Sequence, residues 1–304
     1  MKTYLILVAK GMGMGAANVI PGVSGGTIAL ITGIFQRLID SLKSFDLKAL
    51  RLLLKGKFEE LFQYTDFYFL FSVFLGTGIS ILSLAKLLGW LFLNYPILIW
   101  SYFFGLILAS VYFVGKTVEK WNIPVILTFI TGTSIVAVIS FLSPATPNDD
   151  FFYLIICGIV AICSMILPGI SGSFVLLLMG NYELVINAVA ELNIRILLPV
   201  AIGSAVGLIA FTHFLSWVFR KFRNQTIATL TGFILGSLMI LWPWKNALYM
   251  LDASGNAIIR NGGKIIEGYD MFIPALNTET LWALCIMVAG ILTIWIIEKM
   301  ADEK

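Results

Sequence analysis

Two stretches decide how this chain folds: KGMGMGAANVIPGVSGGTIALITGIFQRLID at residues 10–40 and SMILPGISGSFVLLLMGNYELVI at residues 164–186. Each carries a Pro-Gly-x-Ser-Gly phrase inside a long apolar run, Pro21-Gly22-Val23-Ser24-Gly25-Gly26 in the first and Pro168-Gly169-Ile170-Ser171-Gly172-Ser173 in the second. Proline removes a backbone donor and glycine destabilises a helix interior, so each phrase marks a break in a helix. The surroundings put both breaks in a membrane. Of 304 residues 59% are hydrophobic and 12% charged, with mean hydropathy +0.96, against about 45–50% apolar and about 25% charged in soluble domains. Apolar runs over 67–93, 97–115, 123–143, 197–219, 226–244 and 281–297 each approach the ~20 residues of a spanning helix, which gives six full spans. Interruptions paired at corresponding places in two halves are a pointer to a transporter's binding site.

The two halves are copies of one another. Displaced by 147 positions, Pro21, Gly22, Ser24, Gly25, Leu30, Gly33 and Ile39 fall on Pro168, Gly169, Ser171, Gly172, Leu177, Gly180 and Ile186, with Phe35 on Tyr182. Displaced by 127, Gly76, Leu88, Trp90 and Phe92 fall on Gly203, Leu215, Trp217 and Phe219, and Gly105 falls on Gly232. The difference between the two displacements is an insertion near residues 43–62 of the first half. The expected organisation is a first repeat over 1–145, with a hairpin at 3–42, an interfacial helix at 43–62 and three spans. A second repeat over 146–304 has a hairpin at 151–190, three spans and an external loop at 245–279.

Charge decides the orientation. If each hairpin enters and leaves on one side, each half makes three crossings and the second half is inverted. The cytoplasmic side then receives fourteen basic residues: Lys2, Arg37, Lys43, Lys48, Arg51, Lys55, Lys57, Lys116, Lys120, Arg220, Lys221, Arg223, Lys299 and Lys304. The outside receives Arg195, Lys245, Arg260 and Lys264, as the positive-inside rule requires. The expected fold is therefore an all-α polytopic membrane protein with an inverted-topology repeat, each half a re-entrant or broken helical hairpin plus three transmembrane helices, and with both termini cytoplasmic. The N-terminus carries no secretory cleavage pattern and is read as retained. Each hairpin arm has about 17 residues, near the lower limit for spanning.

Two loops stand apart. In KSFDLKALRLLLKGKFEELF, residues 43–62, Leu47, Leu50, Leu53 and Leu54 alternate with Lys48, Arg51, Lys55 and Lys57, a pattern that fits an interfacial amphipathic helix on anionic headgroups or an ordinary connector. Residues 245–279 read as an external cap with turns at 254–256 and 261–263 and short strands around 257–259 and 264–266. Cys157, Cys163 and Cys285 lie in apolar runs with no metal or redox spacing, so no cofactor and no metal is expected. The basic residues serve topology, and no nucleic-acid partner is indicated.

Irregular backbone survives at membrane depth only where protein or a water-filled cavity satisfies it. A helix starting after Ser24-Gly25-Gly26-Thr27 or Ser171-Gly172-Ser173 presents unpaired amides, a positive dipole end and hydroxyls, which suit a phosphate or carboxylate. Close helix packing is the competing use of such small residues, although packing does not require a repeated Pro-Gly-x-Ser-Gly. Ionisable residues at depth usually line a pathway or pair with one another. Lys10, Lys86 and its repeat counterpart His213, with Arg37, Asp40 and Glu183 on the hairpin arms, lean basic and favour an anion. Lys10 and Lys86 also have the reach to snorkel to the interface. Arg37 and Asp40, three apart, are placed to pair at the cytoplasmic surface. Glu183 is the best protonatable coupling group, with Asp40 and His213 behind it, and Asn18 and Asn181 offer uncharged hydrogen bonds.

Over essentially its whole length, and most specifically in these two motifs, the chain resembles the PopT family of prokaryotic polyprenyl-phosphate translocases, formerly a domain of unknown function. The resemblance implies a multi-pass plasma-membrane carrier that returns undecaprenyl phosphate to the cytoplasmic leaflet for peptidoglycan and other envelope polymers. Carried over by position, its motif residues are Pro21, Gly22, Ser24, Gly25, Gly26 and Thr27, then Pro168, Gly169, Ser171, Gly172 and Ser173. Arg37 and Glu183 lie in their helical continuations. Family members often carry an acid where this chain has Gln36. The expected partners are the lipid, the membrane and a coupling ion, proton or sodium, with a homo-oligomer allowed.

A channel or transporter for small anions would also use broken helices and dipole ends. A lipid phosphatase acting on a polyprenyl diphosphate fits less well: one histidine in mid-span and no cluster of acids supply neither a base with partners nor a metal site. The protein is not expected to be an enzyme.

Overall fold

The computed structural model describes the chain except for residues 1, 20–23, 143, 250–258, 261–262, 265 and 303–304. It is nearly all helical. The first half runs α1 (Lys2–Val19), α2 (Gly25–Ile31), α3 (Phe35–Lys43), α4 (Leu47–Leu54), α5 (Phe58–Tyr64), α6 (Phe67–Asn94), α7 (Pro96–Lys116) and α8 (Ile123–Ile139). The second runs α9 (Phe151–Ile166), α10 (Gly172–Leu178), α11 (Tyr182–Ala190), α12 (Ile194–Lys221) and α13 (Arg223–Leu241), then β1 (Lys245–Tyr249), β2 (Ile259–Arg260), β3 (Gly263–Lys264), β4 (Ile266–Met271) and α14 (Thr278–Asp302). All six expected spans are helices, five of them long and apolar enough to cross a membrane and α8 one residue short of that length.

Without water to squeeze out, helices in a bilayer associate through close backbone approach, which small residues permit. Gly11, Gly15 and Gly76 bring α1 and α6 together, and Gly158, Gly203 and Gly207 do the same for α9 and α12. A Cβ on Gly76 would sit 2.1 Å from the Val8 carbonyl oxygen, and one on Gly203 2.0 Å from that of Ile155. Gly105 and Gly290 join α7 to α14, while Gly132, Gly232 and Gly236 join α8 to α13. Positions that align in the sequence therefore make matching contacts. α7 also packs on α13, and the main buried core runs through them, with Ile107, Leu230 and Ile234, and on to α8, α3, α6 and α12 with Val136, Ile39, Val73 and Leu215.

The chain reverses at each motif, because α2 packs back on α1 and α10 on α9. The returning arm differs from the single ~17-residue segment expected. It breaks again, and α11 leaves α10 at 118°. Gly33 (φ 71°) and Gly180 (φ 75°) occupy the left-handed region just past α2 and α10. The amides of Gly33 and Ile34 donate to Leu30 and Ala29, and those of Gly180 and Asn181 to Leu177 and Leu176. This paired pattern is a Schellman helix stop, which satisfies the terminal carbonyls and turns the chain. Neither arm is one span: each is a short helix, α2 or α10, that stops and is followed by a separate second helix, α3 or α11.

In the insertion, α4 exposes Leu47, Leu50, Leu53 and Leu54. Asp46 caps it by accepting from the Lys48 and Ala49 amides, and Tyr64 of α5 donates to the same carboxylate at 2.7 Å. Burial pushes that carboxyl up, but these donors outweigh it and hold Asp46 below the usual range. The 245–279 segment is built on an antiparallel β1–β4 pair that the sequence reading missed, with β2–β3 as a second small pair. The turn expected at 254–256 lies outside the described residues, as do residues 261–262 of the turn expected at 261–263, whose Gly263 opens β3.

Candidate functional site

The two motifs meet. The Gly169 amide donates to Thr27 Oγ1 at 3.1 Å in a fully buried contact. Ser24 Oγ donates to the Met165 carbonyl at 3.4 Å, and a Cβ on Gly26 would lie 2.6 Å from the Ile166 carbonyl oxygen. The start of α2 is thus pressed onto the end of α9, where glycine is required for the approach. Gly169 (φ 83°) is in turn wedged against the Phe233 carbonyl of α13. Pro168 is buried beside it. Pro21 and Gly22 lie outside the described residues.

The two copies are not equally open. In the first, Ser24 is 2% exposed and Thr27 0%. Its leading amides already have acceptors, Gly25 on Asn18 Oδ1 at 2.8 Å and Gly26 on Ser24 Oγ at 3.1 Å. This differs from the pair of open amide cradles expected from the sequence. At the position matching Asn18 the second half has Met165, which packs on Gly172 and accepts nothing from it. Ser171 and Ser173 hydroxyls share a hydrogen bond of 3.0 Å on the exposed side, and Ser171 Oγ accepts from the Phe174 amide. Among the described residues, the Gly172 and Ser173 amides have no protein acceptor. The more exposed of the two turns is therefore the second, through Ser171 and Ser173, with Gly172 buried between them.

The ionisable residues distribute differently from the expectation. Lys10 Nζ donates to the Thr32 carbonyl at 2.5 Å, at the C-terminal end of α2, where a cation opposes the negative end of the helix dipole. Lys86 is on α6, and its side chain lies outside the described residues. Arg37 and Asp40 do not pair with each other. Arg37 forms a two-pronged pair with Asp66 at 2.6 and 3.0 Å and lies 4.3 Å from the Phe69 ring centroid. Asp40 accepts from Arg220 at 3.0 Å, Ser216 at 2.8 Å and Gln36 at 3.0 Å. Geometry explains the exchange: α3 runs between the start of α6 and the end of α12, so each charge meets a closer partner on a neighbouring helix. A polar cleft of about 530 Å³ lined by Gly33, Gln36, Arg37, Asp40, Ser41, Tyr64 and Asp66 opens there.

Glu183 is half-buried at the start of α11, and His213 places Nδ1 2.8 Å from the carbonyl of Ile209 in its own helix. Asn181 is buried and structural: it exchanges hydrogen bonds with the backbone of Asn148 at 2.9 and 2.7 Å and donates to Cys157 Sγ at 3.5 Å, pinning the 147–150 loop to the bend after α10. No three His, Cys, Asp or Glu residues converge among the described residues.

Residues 14–258 match the family described as undecaprenyl phosphate translocase-like. The chain belongs to that family. It is 38% identical over 301 residues to a polyprenyl-phosphate transporter of Vibrio cholerae, covering 99% of this chain and 98% of the relative. It is 30% identical over 256 residues to a polyprenyl-phosphate transporter of Staphylococcus aureus, covering 78% of this chain and 86% of that protein. No solved structure matches the chain.

Proposed function

We propose that this protein carries undecaprenyl phosphate, or a closely related polyprenyl phosphate, across the plasma membrane of a bacterium, returning the lipid carrier to the cytoplasmic leaflet. The relatives named polyprenyl-phosphate transporter support the substrate class. The observation that carries the site assignment is the buried junction of the two motifs, Gly169 amide to Thr27 hydroxyl, beside the partly exposed Ser171 and exposed Ser173. In this reading the phosphate docks on the amides of Gly172 and Ser173 and the hydroxyls of Ser171 and Ser173, while the prenyl chain stays in lipid. Hydrogen bonds to a charged phosphate are about twice as strong as neutral ones and gain further where water is scarce.

The two halves act as an inverted pair with both termini cytoplasmic, and movement of one half against the other exchanges which motif is open. Lys10, Arg37 and Lys86 are the candidate counter-charges, and Glu183, with Asp40 and His213 behind it, is the candidate coupling group for a proton or sodium ion. The chemistry is binding and reorientation, with no bond made or broken. The test is flipping of a fluorescent polyprenyl phosphate by purified protein in proteoliposomes. Ser171→Leu is expected to abolish flipping at normal folding, and a wild-type rate in that variant removes the phosphate from this turn. Uptake of a water-soluble anion without lipid flipping would favour a small-anion transporter instead.

A further inference from the structure

The long helices make matching contacts in the two halves, but the packing of α2 and α3 has no match at α10 and α11. α2 packs on α7 and α9, and α3 packs on α12; the counterparts, α10 on α13 and α1, and α11 on α6, make no comparable packing among the described residues. Both hairpins meet at α2 and α9, but only in the first does the last helix, α3, dock onto the other half, at α12; α11 has no such packing on α6 among the described residues. Side-chain detail agrees. On the docked side Phe35 and Phe219 are buried, 2% and 8% exposed, with ring centroids 6.1 Å apart. Beside them Asp40 ties α3 to Ser216 and Arg220 of α12. The residues at the repeat-equivalent positions, Tyr182 for Phe35 and Phe92 for Phe219, are not packed on each other: Tyr182 is exposed, and Phe92 meets Trp100 edge-on and stacks on Phe103, both of α7.

We propose that this is an outward-facing state in which Phe35–Phe219, locked by Asp40, Ser216 and Arg220, is the closed cytoplasmic gate, and that the inward-facing state forms when α11 swings onto α6 and Tyr182 closes on Phe92. This rests on the inverted-repeat carrier reading above. The argument is one of symmetry: matched halves that exchange roles must pass through the same contact on opposite faces, and the structure displays it on one face only. The gates differ in chemistry. Where the cytoplasmic gate has Asp40, Ser216 and Arg220, the aligned positions are Asn187, Gly89 and Leu93, so the outer gate has no ionic lock. The resting protein therefore favours the outward-facing state, in which Ser171 and Ser173 are open to receive a headgroup from the outer leaflet.

The test uses the full chain in lipid nanodiscs with spin labels at Leu93 and Asn187, both exposed, after Cys163→Ala and Cys285→Ala; Cys157 is fully buried. Wild type is expected to show a dominant long distance. Asp40→Asn is expected to enlarge a shorter-distance population about two- to fivefold, the range that a partly exposed ion pair supplies. Phe35→Cys with Phe219→Cys, cross-linked, is expected to remove the short distance and stop flipping. A distance distribution unmoved by Asp40→Asn, or flipping that continues with the cross-link intact, overturns the gate while leaving the substrate reading standing. A gate that responds in a protein that never flips polyprenyl phosphate supports the gate and removes the substrate reading.

Discussion

Replacing Thr27 by valine keeps the volume and β-branching of the side chain and deletes one atom's chemistry, the hydroxyl that accepts the Gly169 amide at 3.1 Å. Thr27 is 0% exposed, so the amide is left with no water to turn to. An orphaned buried donor costs about 1–3 kcal/mol, whereas interhelical hydrogen bonds in membrane proteins average about 0.6 and reach about 1.7 kcal/mol. The two ranges overlap near 1–1.7 kcal/mol, a roughly five- to eighteenfold loss in the stability of the docked hairpin. Thr27→Ser keeps the acceptor and removes only a methyl group. The assay is thermal unfolding in detergent alongside lipid flipping in proteoliposomes. Thr27→Val is expected to lower the melting temperature by a few degrees and to change flipping rate, with Thr27→Ser much closer to wild type. Equal behaviour of the two variants, both like wild type, would refute the idea that this bond joins the motifs.

Other substitutions probe the scaffold. Gly105→Ala puts a Cβ 2.0 Å from the Met287 carbonyl oxygen and is expected to cost about 1–3 kcal/mol or more by forcing α7 off α14, read as a lower melting temperature and loss of folded yield. Gly33→Ala meets open space and carries only the left-handed penalty of about 1–2 kcal/mol, whereas Gly180→Ala adds a clash 2.3 Å from the Ala145 carbonyl oxygen; the second variant should be clearly the less stable. Asp46→Ala removes the cap of α4 and is expected to cost about 1 kcal/mol, seen as faster proteolysis of the 43–62 segment. Because the folded-state Asp46 carboxyl is held low, its contribution is complete above the unfolded carboxylate pKa and lost as pH falls through the lowered one, so wild-type proteolysis should approach the variant's only in acid.

The architecture was readable because apolar run length and repeated Pro-Gly-x-Ser-Gly phrases report directly on span number and chain breaks, and each expected span became a helix. The second break in each hairpin was written just as locally, in Thr32-Gly33-Ile34 and Met179-Gly180-Asn181, but a glycine in an apolar run reads equally as packing, and only its positive φ identifies a helix stop. The partners of Arg37 and Asp40 were not legible at all: Asp66 and Arg220 are brought to α3 by long-range packing, which beat the i,i+3 pairing that spacing suggests. The inequality of the two motifs did have a sequence sign, Asn18 against Met165, since an amide acceptor is present in one copy and missing in the other. The β1–β4 pair was missed because the segment's turn residues draw attention to its middle, whereas the ladder forms between its ends.

The central claim is that a polyprenyl phosphate headgroup crosses the membrane through the junction of the two motifs. It is tested most directly by reconstituting the purified wild-type protein and its Ser171→Leu variant in liposomes and following a fluorescent polyprenyl phosphate from one leaflet to the other. The account predicts flipping well above that of empty liposomes for the wild type and background flipping for the folded variant. Background flipping by the wild type, or equal flipping by both proteins, would contradict it.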